Sequence, residues 1–283
     1  MTPFPRTEVG GISLSRMIIG TNWFLGYSHT GVAADKMIKE QHNHYSTLAP
    51  MICAFMENGV DTMMGVFGTC PILVDAARAA EDKMGMKMHL IDTPTMDVSD
   101  NAAARAECEK IIKRSAELGC EFCLVHHSSA EQLVSKLRGT IDRLDDYTSM
   151  IRNAGLVPGL SAHMPELIIY SDANGYDVET YIQLYNCMGF LMQIEIESVA
   201  RIIHNAKKPV MTIKPMAAGR CTPFVGLNFS WNTLRDCDMV TVGCFTEDEV
   251  REDVEISRAA IERRLPYMER RSSPNTKQAA FGG

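Results

Sequence analysis

"ELGCEFCLVHH", residues 117–127, holds within eleven positions the alternation from which the whole chain is built. A helical pattern over 101–118 runs into Gly119, a residue free to take the left-handed conformation that closes a helix. A short apolar run, 120–126, follows and ends on the polar pair His126 and His127. The same order of helix, glycine, apolar run and polar end recurs along the chain, as in "ENGVD", "NAGLVPG" and "CMGFL". Candidate strands fall at 15–21, 60–64, 87–93, 120–126, 157–163, 190–196, 209–215 and 238–244. Amphipathic segments separate them at 34–57, 71–84, 101–118, 130–154, 165–187, 197–206, 222–235 and 246–264. The last opens on Thr246 and Glu249, a capping box. Eight βα units predict an α/β chain folded as one (β/α)8 TIM barrel. A doubly wound sheet is the alternative, but no GxGxxG follows the first strand. The barrel is expected over 1–265, with a loosely ordered tail over 266–283 where periodicity is lost.

Bulk properties narrow the class of function. At 283 residues, with 46% hydrophobic and 22% charged residues, the chain suits one large globular domain. No apolar run approaches the length of a membrane helix. The start, "MTPFPRTEVGG", lacks a basic segment followed by an apolar one, so a cytoplasmic location is expected. Nine cysteines lack framework spacing, and the pair Cys120 and Cys123 has no second CxxC to complete a zinc site. A net charge of −7 disfavours nucleic acid and anionic membranes as partners and leaves small molecules. Nineteen methionines suit an adaptable core or the interface of a homo-oligomer.

In a barrel the chemistry sits at the C-terminal ends of the strands. The residues expected there are Asn22, Asp61, Asp92 or Thr93, His126 with His127, His163, Gln193 with Glu195, and Lys214. Tyr27 and His29 reach the same rim from the first loop. Alternation along a strand puts Gln193 and Glu195 on one face of the expected sixth strand, opposite Met192, Ile194 and Ile196. The polar face should look inward. His126, His163 and Glu195 then end three consecutive strands, spaced roughly 5 Å apart, and should converge. Each has a plainer alternative, since a histidine at a strand end can simply be hydrogen-bonded and Glu195 could pair with Lys214. His42 and His44, two apart on a helix, cannot share a face and are expected at the surface.

These strand ends resemble those of the aldo-keto reductase superfamily from about residue 8 to residue 264. "ISLSRMIIGTNW" is similar to its first strand, "NGVDT" to its second, and "CLVHH" to the strand ending in the active-site histidine. "GLSAH", "MQIEI", "IKPMAAGR" and "VGCFTEDEV" resemble the strands that follow. The resemblance implies a tyrosine that protonates an alkoxide, a lysine that lowers its pKa, an aspartate paired to the lysine and a histidine that orients the carbonyl. Asp61 and His126 match the last two. The tyrosine position, five residues after the aspartate, is Val66, and the lysine position offers Asp92 and Thr93. The resemblance also implies NAD(P)H, with Asn22, Ser161 and Gln193 against the nicotinamide. The adenosine phosphate would then meet "TEDEVRED", 246–253, where carboxylates outnumber Arg251 and disfavour NADPH more than NADH.

Three functions follow as expectations. In the first, His126, His163 and Glu195, with Asp61, hold a divalent metal such as zinc or manganese or act as acid and base, and Lys214 holds a substrate oxygen or serves as a base. The reaction is then elimination, isomerisation or hydrolysis of a small carbonyl or sugar-like substrate. In the second, a nicotinamide-dependent carbonyl reductase uses Tyr27 or His29 as substitute proton donor. In the third, the barrel binds a ligand without turning it over.

Overall fold

In the computed structural model, residues 3–268 are described. The chain opens with an antiparallel hairpin, β1 (Arg6–Val9) and β2 (Ile12–Ser15), and enters the barrel at β3 (Met17–Gly20). Helices α1 (Val32–Gln41) and α2 (Tyr45–Glu57) lead to β4 (Thr62–Gly65), α3 (Pro71–Met84) to β5 (His89–Asp92), and α4 (Ala102–Glu117) to β6 (Phe122–Val125). One helical turn, α5 (His127–Ala130), a 3-10 turn at Glu131–Leu133 and a small hairpin of β7 (Val134–Ser135) and β8 (Thr140–Ile141) precede α6 (Leu144–Asn153). Then come β9 (Val157–Ala162), α7 (Glu166–Asn174), β10 (Tyr181–Leu184), α8 (Ile196–Asn205), β11 (Val210–Ile213), α9 (Pro223–Thr233), β12 (Met239–Val242) and α10 (Glu247–Ile261).

Eight strands, β3, β4, β5, β6 and β9 to β12, pair in parallel and close into a barrel, with Val242 of β12 beside Ile19 of β3. This is the (β/α)8 architecture that the repeating units predict. Alternation sends Ile18, Met64, Ile91, Phe122, Leu124, Ile182, Met211 and Met239 into the interior, which is therefore packed. Burying each stabilises the barrel by roughly 1.5–3 kcal/mol relative to exposure. Val9 and Leu14 join that cluster, so the opening hairpin plugs the N-terminal end. Its turn needs Gly10, whose φ is +56° and where a Cβ would lie 2.7 Å from Val157. Two larger apolar clusters fill the space between sheet and helices.

Seven of the eight expected strands are present within a few residues, and the sixth is corrected. The run 190–196 forms no strand; the sixth barrel strand is β10, which pairs Gln183 with Ala162 and Thr212. Gly175 explains the shift. It stands at φ +70° with its amide on the Ser171 carbonyl at 2.9 Å, which ends α7 well short of 187 and frees 181–184 for the sheet. The following segment is a loop braced by Asn186, whose Oδ1 accepts the Met188 and Phe190 amides at 3.2 and 2.9 Å. The segment 34–57 divides into two helices at His42–His44, and His42 is buried against Phe245 rather than solvated. No helix among the described residues is long and apolar enough to cross a membrane. Of the tail expected over 266–283, residues 269–283 lie outside the described residues.

Candidate active site

The strands deliver their C-terminal ends to one rim, where a cavity of about 940 Å³ opens. Met64, Ile182 and Ile213 rise into it from the packed interior. Polar side chains from several strand ends and loops surround them. Thr241 of β12 is 8% exposed and its hydroxyl finds no partner, a buried polar group that a bound ligand or water would satisfy.

One wall is made of imidazoles. β6 ends at Val125, and the chain turns at once into α5, so His126 and His127 both stay at the rim. His126 Nδ1 accepts the Ser128 amide at 3.3 Å, which caps α5 and puts the proton of the neutral ring on Nε2. β9 brings Ser161 and His163 into line, both facing the cavity. The His127 and His163 rings stack at 3.7 Å and 16°, and His126 lies 4.2 Å from His127. Burial, and then the charges of its neighbours, hold His163 down to about 3 and His126 to about 4; His127 is lowered for the same first reason. All three are neutral and rich in lone pairs at pH 7.

Glu131 completes this wall. It lies four residues after His127, one helical turn on. Its Oε1 accepts the amides of His163 and Met164 at 2.6 and 2.9 Å, which ties the loop after β9 to the turn after α5. A nitrogen of His127, a nitrogen of His163 and an oxygen of Glu131 lie within 4.8 Å of one another, a donor set that suits zinc or manganese. The expected trio of His126, His163 and Glu195 is therefore corrected. Glu195 and Gln193 are exposed in the loop before α8 and do not line the cavity, because their segment is not a strand. His126 lies beside the donor set, with one nitrogen engaged as a cap.

Asp61 is also relocated. It precedes β4 and stands at the opposite end of the barrel, where Arg6 Nη1 binds it at 2.7 Å. The strand end at the active rim is Gly65 with Val66, so the aspartate of "NGVDT" enters the strand instead of leaving it. Asp92, at the position where the resemblance expects a lysine, turns outward and is fully buried. It takes the Phe67 amide at 2.9 Å and the Ser115 hydroxyl at 2.5 Å, bracing the loop after β4 against α4. Burial pushes its carboxyl up, and those hydrogen bonds partly offset the push. Cys120 and Cys123 are buried, with the Cys120 thiol pushed up to about 12, the opposite of a reactive thiolate.

Lys214 follows β11, with β10 between it and the strand that leads to His163, and stands at φ +60°; His29 meets it from the first loop with φ +59°. A left-handed conformation at a non-glycine residue costs about 1 kcal/mol or more. Lys214 Nζ lies 3.1 Å from His29 Nε2, and burial lowers the lysine pKa. Asn22, Tyr27 and Ser161 line the cavity as expected.

The far end of the cavity reaches Glu249 and Glu252 near the start of α10. There Thr246 accepts the Glu249 amide at 3.2 Å, and Glu249 accepts the Phe245 amide at 2.6 Å. The helix terminus is thus closed by its own capping box, and Glu247 and Asp248 occupy Arg251. The 2′-phosphate of NADPH does not fit this acidic wall; NADH carries no such phosphate.

No known protein-family model matches the chain, and no curated protein sequence does. Solved structures do. A provisionally named aldo-keto reductase from Pseudomonas aeruginosa is similar with a TM-score of 0.66 and 12% identity, over 92% of this chain and 98% of that one. The aldose reductase of Giardia lamblia is similar with a TM-score of 0.51 and 11% identity, over 95% and 96%. The Rubisco of Pyrococcus horikoshii also gives 0.51 at 11%, over 78% of this chain and 56% of that one. At such identities the likeness is one of fold, and a fold shared with a carboxylase does not choose the chemistry. What these likenesses show is the fold: the chain is a (β/α)8 barrel that shares its architecture with solved aldo-keto reductases.

Proposed function

We propose that this barrel is an enzyme that takes a small carbonyl or sugar-like molecule into the cavity at its C-terminal rim. The reaction is metal-assisted acid/base chemistry, an isomerisation, elimination or hydrolysis, rather than hydride transfer protonated by a tyrosine. The observation that carries this reading is the His127, Glu131 and His163 donor set, within 4.8 Å and backed by neutral imidazoles. Zinc or manganese held there would polarise a substrate oxygen, which is the service the missing tyrosine performs in reductases. The chain's own groups supply the rest. His126, with its proton on Nε2, can donate to a carbonyl oxygen, and the Thr241 hydroxyl offers a further hydrogen bond at the cavity floor. Ser161, beside His163, would orient a substrate hydroxyl.

Metal analysis of the purified protein tests the reading. About one equivalent of zinc or manganese is expected, with affinity that persists below the ordinary imidazole range because burial lowers the pKa of His163 and His127. His127→Ala and His163→Ala should each lower metal affinity at least about tenfold. Protein that takes up no divalent metal, at micromolar zinc or manganese, would leave the donor set without a role. Titration with NADH in the same samples separates the reductase alternative, which requires saturable binding, and a barrel that only binds would retain ligand without turnover.

A further inference from the structure

The cavity holds a second chemical group that the metal site does not use. Lys214 is the one lysine among the residues lining it, and no carboxylate pairs with Lys214 among the described residues. Its neighbour is instead a histidine whose tautomer can be assigned. His29 Nδ1 lies 2.8 Å from the Tyr27 carbonyl oxygen, which can only accept, so Nδ1 carries the proton. Nε2 is then a lone pair, and it faces Lys214 Nζ at 3.1 Å. A nucleophile, a base within hydrogen-bond reach and a third group orienting the base form the arrangement by which proteins activate an amine. Both residues stand at positive φ, and Arg220 helps hold the pair by donating to the His29 and Ala217 carbonyls at 3.4 and 3.1 Å.

We propose that Lys214 captures the carbonyl carbon of the substrate as an imine, with His29 as the residue that moves the protons. The inference rests on the reading that the cavity takes a carbonyl compound. His29 accepts a proton from the lysine ammonium, and the free amine attacks the carbonyl carbon to form a C–N bond. The carbonyl oxygen takes up the proton that nitrogen loses, giving a carbinolamine. His29 then returns its proton to the hydroxyl, the C–O bond breaks, and water leaves as the nitrogen lone pair forms C=N. The sum is one ammonium and one carbonyl converted to one protonated imine and one water, with no oxidant or reductant. Burial favours the uncharged amine that the first step needs.

The test is competitive labelling of the full-length protein with glycolaldehyde and sodium cyanoborohydride at pH 7, followed by peptide mass mapping. Reduction turns the imine into a secondary amine, adding the mass of glycolaldehyde less one oxygen atom. Lys214 should be labelled at least about tenfold faster than the exposed lysines. His29→Asn should bring Lys214 down to their rate and leave theirs unchanged. Labelling of Lys214 no faster than the exposed lysines overturns the proposal, and so does a rate indifferent to His29→Asn. Running the labelling before and after chelation keeps the two sites apart. Capture at Lys214 should survive loss of metal, and Lys214→Met should abolish capture while leaving the metal content unchanged. Failure of either site is thereby visible without failure of the other.

Discussion

The two ends of this barrel use charged side chains in opposite ways. At the N-terminal end charges are paired within the chain. Arg6 holds Asp61 at 2.7 Å, and Glu121 takes His89 and Lys87 at 2.6 and 2.8 Å. Arg235 grips the buried Asp238 at 2.7 Å, and Arg16 donates to the Asp238 carbonyl at 2.9 Å. At the C-terminal end four histidines and a lysine line one cavity, and Glu131 is the carboxylate among the imidazoles. Burial keeps His126 and His163 neutral where pairing with a carboxylate would have charged them. The contrast teaches that residue type does not mark the site here. Asp61 and His89 are the same kinds of residue as Glu131 and His163, and what separates them is that the first two bind an ionisable partner of opposite sign while Glu131 accepts backbone amides.

Acid should separate the ends, and this is the largest effect expected. Unfolded imidazoles take up protons near pH 6.5, whereas His126 and His163 do so only at about 4 and about 3. Between these values the unfolded chain binds more protons, so stability falls as the pH drops from about 6.5 towards 4. Each such histidine contributes a slope of at most about 1.4 kcal/mol per pH unit. At the other end burial would raise the Glu121 carboxyl, but the hydrogen bonds from His89 and Lys87 outweigh it and hold the group low. Stability from Glu121 is therefore kept above its ordinary range and lost only below about pH 4.3. Urea melts at pH 7, 6, 5 and 4 check this. The double variant H126N/H163N should show a shallower decline above pH 4, and a wild-type curve flat from pH 7 to 5 would mean that the rim is solvated.

How far the sequence carries this picture depends on what each residue's position rests on. The period-2 runs bounded by glycine are local signals, and they yield seven strands and the closed barrel. The donor set was half legible: His163 follows from alternation on β9, and Glu131 stands four residues after His127, a spacing visible in "HHSSAE". The other half is hidden by the turn at α5, because a strand over 120–126 followed by a helix from 130 leaves no place for it. The pairing of His29 with Lys214 spans 185 positions and depends on two left-handed residues, for which sequence gives no cue. Asp61 falls at the opposite end from the one its motif implies, because a motif fixes the order of residues and not the end of the strand on which they fall.

The second effect is smaller and concerns that misplaced aspartate. Asp61→Asn removes an ion pair whose arginine is about one-third exposed, so the cost should be about 0.5–1 kcal/mol in a chemical melt. Turnover and metal content should not change. A loss of turnover far beyond the loss of folded protein would return Asp61 to the active rim and break the contrast between the ends.

The smallest effect is expected at Glu195, and it is the sharpest test of the corrected sixth strand. As an inward residue of a strand over 190–196, Glu195 would be a buried carboxylate among imidazoles, and neutralising it would cost metal affinity at least about tenfold. In the observed fold Glu195 is exposed at the start of α8, where its backbone carbonyl accepts the Ser198 amide at 3.0 Å and its side chain makes no capping bond. A carboxylate there interacts only weakly with the helix terminus, so Glu195→Gln should change stability by less than about 0.5 kcal/mol. Metal content, measured beside Glu131→Gln, should distinguish the two acids. Glu131→Gln weakens the donor set, while Glu195→Gln leaves it intact, because Gly175 ends α7 early and gives the sixth place in the barrel to Tyr181–Leu184.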